Sequence, residues 1–339
     1  MSTTSIVILN WNGRHYLERF LRKLELKSNI HGVSIVVADN GSTDGSVEYL
    51  KASHPNVRII EFDTNLGFTG GYNKALKELK SDYFLLLNSD VQVSDGWLEP
   101  LIRNMDINSK IGICMPKIRS AFEPKNFEYA GACGGFIDVL GFPFCRGRIL
   151  SNIETDNLQY NQNIEIFWAS GAAFMIRSEL FRSLGGFDDK FFAHMEEIDL
   201  CWRAKLTGYQ VWVYPEAIVY HVGGGTLPNN SPKKLYFNYR NNLLMLYKNL
   251  PFPKIYIVMF IRMVLDGLSA LVYLVQGKTK NFVSVLKAHR DFWKMRPNLQ
   301  RDKNSVKRNI TGIYNGSIVF SFFLSRMKLR FIDISGKIT

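Results

Sequence analysis

The sequence predicts an α/β protein whose mostly parallel sheet is flanked by helices. Over the first 120 of its 339 residues, short apolar runs alternate with stretches of helical periodicity. The apolar runs are continuous, which is typical of strands buried on both faces of a parallel sheet. Polar or glycine-rich residues follow the runs, and sheets of this kind bind ligands beyond the carboxyl ends of their strands.

The elements of this first part follow one another in a regular order. The predicted strands are 5–9, 33–38, 57–62, 83–87 and 111–115, and the predicted helices are 16–27, 47–51, 72–79 and 97–105. Each helix lies between two strands, as crossover connections do in a parallel sheet.

Polar residues follow four of these strands. The segments are NWNG (10–13), DNGSTDG (39–45), DTNLGFTGG (63–71) and NSD (88–90). One polar strand end is an ordinary turn, but four on one edge of a sheet predict a binding site. Neither a G-x-G-x-x-G motif after the first strand nor a P-loop pattern occurs, which argues against a dinucleotide fold and a P-loop NTPase.

A second block covers residues 164–226 and follows a loop-rich segment, 119–163. Its predicted elements are a strand over 166–177 interrupted at Ser170-Gly171, a helix over 196–206 and a strand over 209–214. Four cysteines show neither metal-ligand nor disulfide spacing, so we expect free buried thiols in a reducing compartment. A strand-like run begins already at Ser5, and we expect no signal peptide.

The net charge of +12 is concentrated in the last third of the chain. Residues 231–339 hold 20 Lys and Arg against 4 Asp and Glu, a net charge of +16, so residues 1–230 carry −4. A region this basic predicts an anionic partner, either nucleic acid or a membrane surface.

The apolar segment 255–275 within this basic region is long enough to invite a transmembrane interpretation. Lys254, Arg262 and Asp266 would share one face of a helix, and Arg262 can pair with Asp266 four residues later. Full insertion would bury both charges, which is expensive. The pattern favours an amphipathic helix that lies in a membrane interface or packs on the catalytic domain.

Five segments, in this order, resemble family 2 glycosyltransferases. They are SIVILNWNG, VVADNGSTDGS, NLGFTGGYN, LLLNSDVQV and the long segment from GGFDDKFF to HVGGG. The resemblance covers about residues 4–250 and is greatest to bacterial rhamnosyltransferases of cell-surface polysaccharide assembly. It implies a GT-A fold, a nucleotide-diphospho-sugar donor, a divalent metal and inversion of the anomeric configuration.

The resemblance assigns metal binding to Asp90, in a motif that is usually Asp-x-Asp but here begins with Asn88. Mg²⁺ or Mn²⁺ needs only one or two carboxylates, because phosphate oxygens and water fill its other positions. His221 stands where the family has a histidine that can complete the coordination, and imidazole suits Mn²⁺. A turn or helix-cap role for Asp90 is the structural alternative.

The nucleotide-sugar contacts implied by the resemblance are Asn10, Trp11, Asp39, Asn65, Gly67, Asn88, Ser89 and Asp90. A carboxylate at Asp39 would accept a hydrogen bond from the ring N–H of a pyrimidine base. The segment around Asp39 is equally typical of a turn, and Trp11 is equally compatible with a core position.

Inversion needs a base that deprotonates the acceptor hydroxyl on the face opposite the diphosphate. The family usually has Glu-Asp for this purpose, and the chain has Glu196-Glu197, of which Glu197 takes the place of the base. A neighbouring like charge would raise its pKa; a solvated acidic helix start is the alternative. The predicted acceptor residues are Trp168, Ser170, Gly171 and Asp199. Asp199 could instead brace its helix.

The leading hypothesis is an inverting glycosyltransferase that moves a sugar from a UDP- or dTDP-linked donor, such as dTDP-rhamnose, to a lipid-linked or growing surface glycan. The predicted catalytic domain is 1–230, with a nucleotide-sugar half (1–120) and an acceptor half (121–230). The helical region 231–339 would hold the enzyme peripherally on anionic lipid at the cytoplasmic face of the inner membrane, with no nucleic-acid partner.

Two other functions compete with this hypothesis. A nucleotidyltransferase would use the same metal site, but it needs a basic glycine-rich loop after the first strand, and NWNG is not one. A non-catalytic nucleic-acid-binding protein would use the basic tail, with aromatic residues stacked on bases. It would leave the Glu196-Glu197 pair unexplained.

Overall fold

Fourteen strands and ten α-helices are present in residues 2–223, 231–299, 301 and 310–339, which the computed structural model describes. The strands are β1 Thr4–Asn10, β2 Val33–Asp39, β3 Arg58–Glu61, β4 Tyr83–Asn88, β5 Val91–Val93, β6 Ile111–Ser120, β7 Gly135–Asp138, β8 Pro143–Cys145, β9 Arg148–Ile149, β10 Asn152–Ile153, β11 Ile164–Glu165, β12 Ala173–Arg177, β13 Gln210–His221 and β14 Ile313–Tyr314. The helices are α1 Arg14–Lys27, α2 Ser46–Ser53, α3 Gly67–Lys77, α4 Glu99–Ile107, α5 Ser178–Ser183, α6 Glu196–Leu206, α7 Pro232–Asn249, α8 Lys254–Val275, α9 Thr279–Met295 and α10 Ile318–Leu324.

The first four predicted strands form the parallel half of a large sheet. Their order is β3-β2-β1-β4, with every neighbouring pair parallel. The apolar residues of β1 and β4 are almost completely buried, as continuous apolar runs predict for strands covered by helices on both faces.

The antiparallel strand β12 separates β4 from β6 and makes the sheet mixed. Beyond β6 lies β13, parallel to it, and β13 also pairs antiparallel with β5 and β11. The predicted α/β class with flanking helices is therefore confirmed. The predicted strand over 166–177 is correct only from Ala173, because a turn at Ser170 precedes it. The strand predicted over 209–214 extends to His221.

A second, smaller sheet lies in the segment that sequence analysis took for loops. Its order is β10-β9-β8-β7-β14. Strand β14 comes from the basic C-terminal region and pairs parallel with β7. The four cysteines are free and buried, as predicted.

Helix α7 packs against α6 and against α8 and α9. Within the described residues, α8 alone is long and apolar enough to cross a membrane. Its Arg262 and Asp266 are buried against the rest of the protein. Two predicted features lie partly outside the described residues: the glycines 224 and 225 after His221, and the end of the basic run over 278–307.

Candidate active site

The carboxyl ends of β1, β2 and β4 meet at one edge of the large sheet. In the parallel register Asn10 lies beside Asp39, and Leu9 lies beside Asn88. The Nδ2 atom of Asn10 donates to Oδ1 of Asp39 at 2.9 Å, and both side chains are buried. The polar strand ends are therefore brought together, because parallel strands carry their ends to the same edge.

Asn10 and Asp39 both keep hydrogen-bonding capacity at this edge. Oδ2 of Asp39 accepts from the backbone N–H of Ser42 at 2.9 Å, and a carboxylate has further lone pairs to offer. Oδ1 of Asn10 is buried and finds no hydrogen-bond partner in residues 2–223, 231–299, 301 and 310–339, and a Cβ on Gly13 would lie 2.5 Å from it. An unsatisfied buried oxygen is costly, so this atom is suited to a ligand N–H or O–H. Trp11 is 46% exposed, which rules out the core alternative for its ring.

Asn40, which sequence analysis did not single out, connects the loop after β2 to the loop after β3. Its Nδ2 donates to Oδ1 of Asn65 and to the carbonyl of Gly67, both at 3.1 Å, and its Oδ1 accepts from the N–H of Leu66. Gly67 begins α3 with a φ of +74°, and a Cβ there would lie 2.6 Å from the ring of Phe192. Glycine fits this position because it adopts the conformation without strain and has no Cβ to meet the ring. Gly67 and its neighbour Asn65 therefore determine where α3 begins.

Asp90 and His221, the two predicted metal ligands, are neighbours. Asp90 lies in the turn between β4 and β5, and β13 pairs His221 with Val91 of β5. Oδ1 of Asp90 is 3.2 Å from Nε2 of His221, and both side chains are buried. Glu128 lies on the other side of the ring, with Oε1 at 3.4 Å from Nδ1. The imidazole is therefore held between two carboxylates.

The charges of this cluster shift the pKa values of its members. Burial by itself would lower the pKa of His221, but the contacts with Asp90 and Glu128 raise it to about 10. Burial would raise the pKa of Asp90, yet the bond to His221 holds it below its ordinary value. The Glu128 contact is an ion pair and not an aligned hydrogen bond, since Nδ1 has no hydrogen-bond partner among the residues that the structure describes.

The donor set of this cluster fits a divalent cation. A carboxylate oxygen and an imidazole nitrogen converge, and this nitrogen can bind a cation once the cation has displaced its proton. A second carboxylate behind the ring resembles the partner that orients many metal-binding histidines. Among the described residues, no group of three or more His, Cys, Asp or Glu side chains is placed to hold a metal by itself. Two protein ligands suit Mg²⁺ or Mn²⁺ when phosphate oxygens and water supply the remainder.

Helix α6 begins with the two predicted catalytic acids, after a loop of unusual backbone conformation. Phe192, His194 and Met195 have φ values of +64°, +69° and +71°. This left-handed region is uncommon outside glycine and often marks functional sites. The loop delivers Glu196 and Glu197 to the first turn of the helix, the first buried and the second half-buried.

Both acids have raised pKa values. Burial, followed by the charge of Glu197, raises the pKa of Glu196 well above its ordinary value. Burial also raises the pKa of Glu197 to about 7, although backbone N–H groups at the helix start oppose this rise. Within the described part of the chain, Oε2 of each acid is buried without a hydrogen-bond partner. The solvated helix start considered as an alternative is therefore wrong for this pair, and a pKa near 7 suits proton transfer at neutral pH.

The loop before α6 is held from two sides. The N–H of Phe68, at the start of α3, donates to the carbonyl of Phe192 at 2.9 Å. From α7, Nδ2 of Asn241 donates to the carbonyls of Ala193 and His194 at 2.8 and 2.7 Å. Sequence analysis did not find Asn241, because one asparagine in an aromatic helix forms no motif.

Gly171 lies between the start of α6 and the end of β4. A Cβ on Gly171 would lie 3.9 Å from Cδ of Glu197 and 3.5 Å from the ring of Phe68. The carbonyl of the next residue, Ala172, accepts from the N–H of Asn88 at 2.9 Å. The structure thus brings Gly171 and Glu197 close to the strand end that carries Asn88, Ser89 and Asp90.

Trp168 and Ser170, the other predicted acceptor residues, are buried. Nε1 of Trp168 donates to the carbonyl of Phe136 at 2.9 Å, and Oγ of Ser170 donates to the carbonyl of Ala130. These contacts join the residues before β12 to the smaller sheet. They favour packing roles, and an acceptor contact for these two side chains stays a prediction.

Asp199 contacts α7 and has no exposed surface. Its Oδ2 accepts from Arg203 at 2.8 Å and from Lys248 at 3.1 Å, and its Oδ1 accepts from Asn249 at 2.8 Å. Burial would raise its pKa, but Arg203 and Lys248 hold it below the ordinary value. The bracing role therefore fits the structure, and the predicted acceptor contact does not, because no oxygen of Asp199 is accessible.

Proteins of known family resemble this chain in sequence and in fold. A family model described as Glycosyl transferase family 2 matches residues 5–185. N-acetylglucosaminyl-diphospho-decaprenol L-rhamnosyltransferase of Mycobacterium tuberculosis is 29% identical over 234 residues, which are 64% of this chain and 75% of that protein.

Two solved structures share the fold at low sequence identity. GalNAc-T7 with UDP, GalNAc and Mn²⁺ is 16% identical with a TM-score of 0.58, over 88% of this chain and 56% of that one. S. aureus TarS 1-349 with UDP-GlcNAc is 14% identical with a TM-score of 0.56, over 87% and 82%. These likenesses confirm the predicted GT-A fold. Since the family match extends over more than half of the sequence, the chain is an enzyme that belongs to glycosyltransferase family 2.

Proposed function

We propose that the chain inverts the anomeric configuration as it transfers a sugar from a UDP- or dTDP-linked donor, such as dTDP-rhamnose, to a lipid-linked or growing surface glycan. The name of the mycobacterial relative supports this, because it specifies rhamnosyl transfer to N-acetylglucosaminyl-diphospho-decaprenol. Among the predicted functions, family membership favours sugar transfer over nucleotidyl transfer and over non-catalytic nucleic-acid binding.

Glu197 is the general base of the proposed reaction. Its carboxylate takes the proton from an acceptor hydroxyl while that oxygen forms a bond to C1 of the donor sugar. The bond from C1 to the diphosphate breaks on the opposite face, and the nucleoside diphosphate leaves with the electron pair. A positioned base of this kind contributes about 10²–10⁴-fold to the rate. The raised pKa and the unpartnered Oε2 atom support this role.

Asp90 and His221 are the proposed ligands of Mg²⁺ or Mn²⁺. The cation would neutralise charge that develops on the departing diphosphate. The observation that carries the proposal is the position of Gly171. This residue lies beside Glu197, and the residue after it, Ala172, accepts a hydrogen bond from the N–H of Asn88. It brings the proposed base close to the strand end that precedes Asp90, so a donor held by its diphosphate would present C1 to the base.

The pyrimidine nucleotide would occupy the edge formed by Asn10, Trp11 and Asp39. Asp39 has lone pairs for the ring N–H, and the exposed indole of Trp11 offers an apolar surface. Asn65 and Gly67 would bring the positive end of α3 toward the donor phosphates. The basic region after residue 230 would hold the enzyme peripherally on anionic lipid at the cytoplasmic membrane face, through about 1 kcal/mol for each apposed Lys or Arg.

A thermal-shift panel of nucleotide-diphospho-sugars, with and without Mn²⁺, tests the proposal. The correct donor raises the melting temperature by mass action. Asp90→Ala should abolish the Mn²⁺-dependent part of this shift, whereas Glu197→Gln should keep the shift and lose turnover. An equal Mn²⁺-dependent shift in Asp90→Ala would contradict the metal assignment, and a product that retains the donor's anomeric configuration would contradict inversion.

A further inference from the structure

Helix α8 buries its two central charged residues together with three apolar ones, and it exposes a broad apolar side. Its buried residues are Ile255, Val258, Arg262, Asp266 and Ala270. They recur every three or four residues and so form one helical face. An amphipathic helix of a soluble protein normally buries its apolar face instead.

The two charged residues on the inward side contact three other parts of the protein. Nη1 of Arg262 donates to Oδ1 of Asn242 at 2.6 Å and to the carbonyl of Leu140 at 3.2 Å. Nη2 of Arg262 pairs with Asp266 at 3.3 Å, and Asp266 also contacts Nε2 of His289 at 3.2 Å. These contacts connect α8 to α7, to α9 and to the turn after β7.

The outward side of α8 is a continuous apolar surface, which we name the outer face of α8. Its members are between 44% and 89% exposed: Tyr256, Ile257, Phe260, Val264, Leu268, Leu271, Val272, Leu274 and Val275. Scattered exposed apolar residues are normal on a soluble protein, but a contiguous surface of this kind marks an interaction site.

Two neighbouring helices add apolar and basic groups near this face. Helix α10 exposes Phe320, Phe323 and Leu324, and its first N–H, on Ile318, donates to Asp138 in the same turn region that contacts Arg262. Helix α9 packs on α8 and has exposed basic residues, Lys280, Lys287, Arg290 and Lys294. A surface recess of about 440 Å³ is lined by Val283, Leu286, Lys287 and Arg290. Apolar side chains beside cations are the combination that anionic lipid attracts.

We infer that the outer face of α8 inserts into one leaflet of an anionic bilayer, with the helix axis along the membrane plane. A spanning orientation would separate Arg262 and Asp266 from Asn242 and His289 and expose them to lipid, which is expensive. In the in-plane orientation these contacts remain intact, while the apolar side chains enter the lipid and the lysines of α9 lie at headgroup level.

This inference extends the membrane association that is part of the proposed function. It depends on the packing of α8 and does not depend on the assigned reaction. Charge attraction alone gives binding that high salt removes. Insertion of the outer face adds an apolar part that salt leaves intact. The two contributions can therefore be measured separately on the full-length protein.

Flotation of the full-length protein with lipid vesicles tests the inference. The vesicles are phosphatidylcholine alone or mixed with phosphatidylglycerol, each at low and high salt. We expect the wild-type protein to remain on mixed vesicles at high salt. The double variant Phe260→Glu/Leu271→Glu should bind them at least about tenfold more weakly, because two charges would have to enter the apolar layer.

The matched control places the same charges on exposed apolar residues elsewhere. Leu26 and Ile107, at the ends of α1 and α4, are 66% and 77% exposed. Leu26→Glu/Ile107→Glu should bind vesicles like the wild-type protein. Melting temperature, with and without donor, reports whether each variant still folds and binds nucleotide.

Three results would overturn the inference. The first is equal high-salt binding by the outer-face variant and the control, which would mean that the outer face of α8 contributes nothing to the salt-resistant part of the association. The second is a vesicle-free dimer that the outer-face substitutions dissociate, since the face would then bind a second copy. The third is protease protection of one end of α8 while the other end is cleaved in sealed vesicles, which would indicate a spanning helix.

Discussion

The side-chain amide of Asn241 donates to the carbonyl of His194 at 2.7 Å. This bond joins α7, which lies beyond residue 230, to the left-handed loop that precedes Glu197. Arg240 strengthens the connection by donating to the carbonyls of Lys190 and Phe191 at 3.1 and 3.0 Å. The backbone that positions the proposed base is therefore held by the C-terminal helical region.

Asn241→Ala should lower kcat by about 10²-fold, because a shift of the base by about 1 Å costs that much. The KM for the donor should stay near the wild-type value, since the nucleotide edge is built from other loops. Steady-state kinetics with varied donor would measure both constants. Asn238→Ala, on the same helix, is the matched control. A parallel change in kcat and KM, or no change in either, would argue against a positioning role.

The rate should depend on the ionisation of Glu197. A base must be deprotonated to accept a proton, and burial raises the pKa of Glu197 to about 7. We therefore expect kcat/KM to rise tenfold per pH unit below about 7 and to level off above it. Glu197→Gln should lower the rate by about 10²–10⁴-fold and remove this rise.

Glu179→Gln is the control for this pH profile, because Glu179 is an exposed glutamate in the first turn of α5. It should keep both the rate and the profile. A wild-type pH profile in Glu197→Gln would mean that another group accepts the proton.

Much of the parallel half of the large sheet can be predicted from sequence, because its strands are continuous apolar runs with polar ends. Parallel pairing then brings Asn10 beside Asp39 without further information. The smaller sheet cannot be found in this way. Strands such as β9 and β10 have two residues each, too few to show a periodicity.

The residues that sequence analysis missed contact site residues that are distant from them in sequence. Glu128 reaches His221 across 93 positions of sequence, and Asn241 reaches His194 across 47. Neither belongs to a motif, since each is an ordinary polar residue until the fold gives it a partner. The burial of Arg262 could not be predicted either. Its spacing from Asp266 shows that both residues lie on one face of a helix, but it does not show which part of the protein packs against that face.

Glu128→Gln should weaken Mn²⁺ binding by about 10- to 100-fold, the usual effect of losing a carboxylate behind a metal-binding histidine. The measurement is the electron paramagnetic resonance signal of free Mn²⁺ during titration of the protein with UDP present. Glu123→Gln, an exposed glutamate of the same segment, should titrate like the wild-type protein. Unchanged affinity in Glu128→Gln would show that His221 is oriented by other contacts.

Asp199→Ala should lower the free energy of unfolding by about 3–5 kcal/mol, because it leaves Arg203 without a carboxylate partner and Lys248 with Asp188 alone. Glu78→Ala removes an exposed ion pair with Arg58 and should cost at most about 1 kcal/mol. Urea denaturation of both variants measures this difference. A small decrease in the free energy of unfolding of Asp199→Ala, together with a large increase in the KM for the acceptor, would support the predicted acceptor contact of Asp199.

The contacts from Asn241, Lys248 and Asn249 to the residues around α6 also limit how this family can be recombined. A chimera that joins this chain's residues before 231 to the helices of another relative would separate Asp199 from Lys248 and Asn249 and loosen the segment carrying the acids. An exchange of the residues after the end of α7 would leave those partners together, so functional swaps are expected to have their junction there.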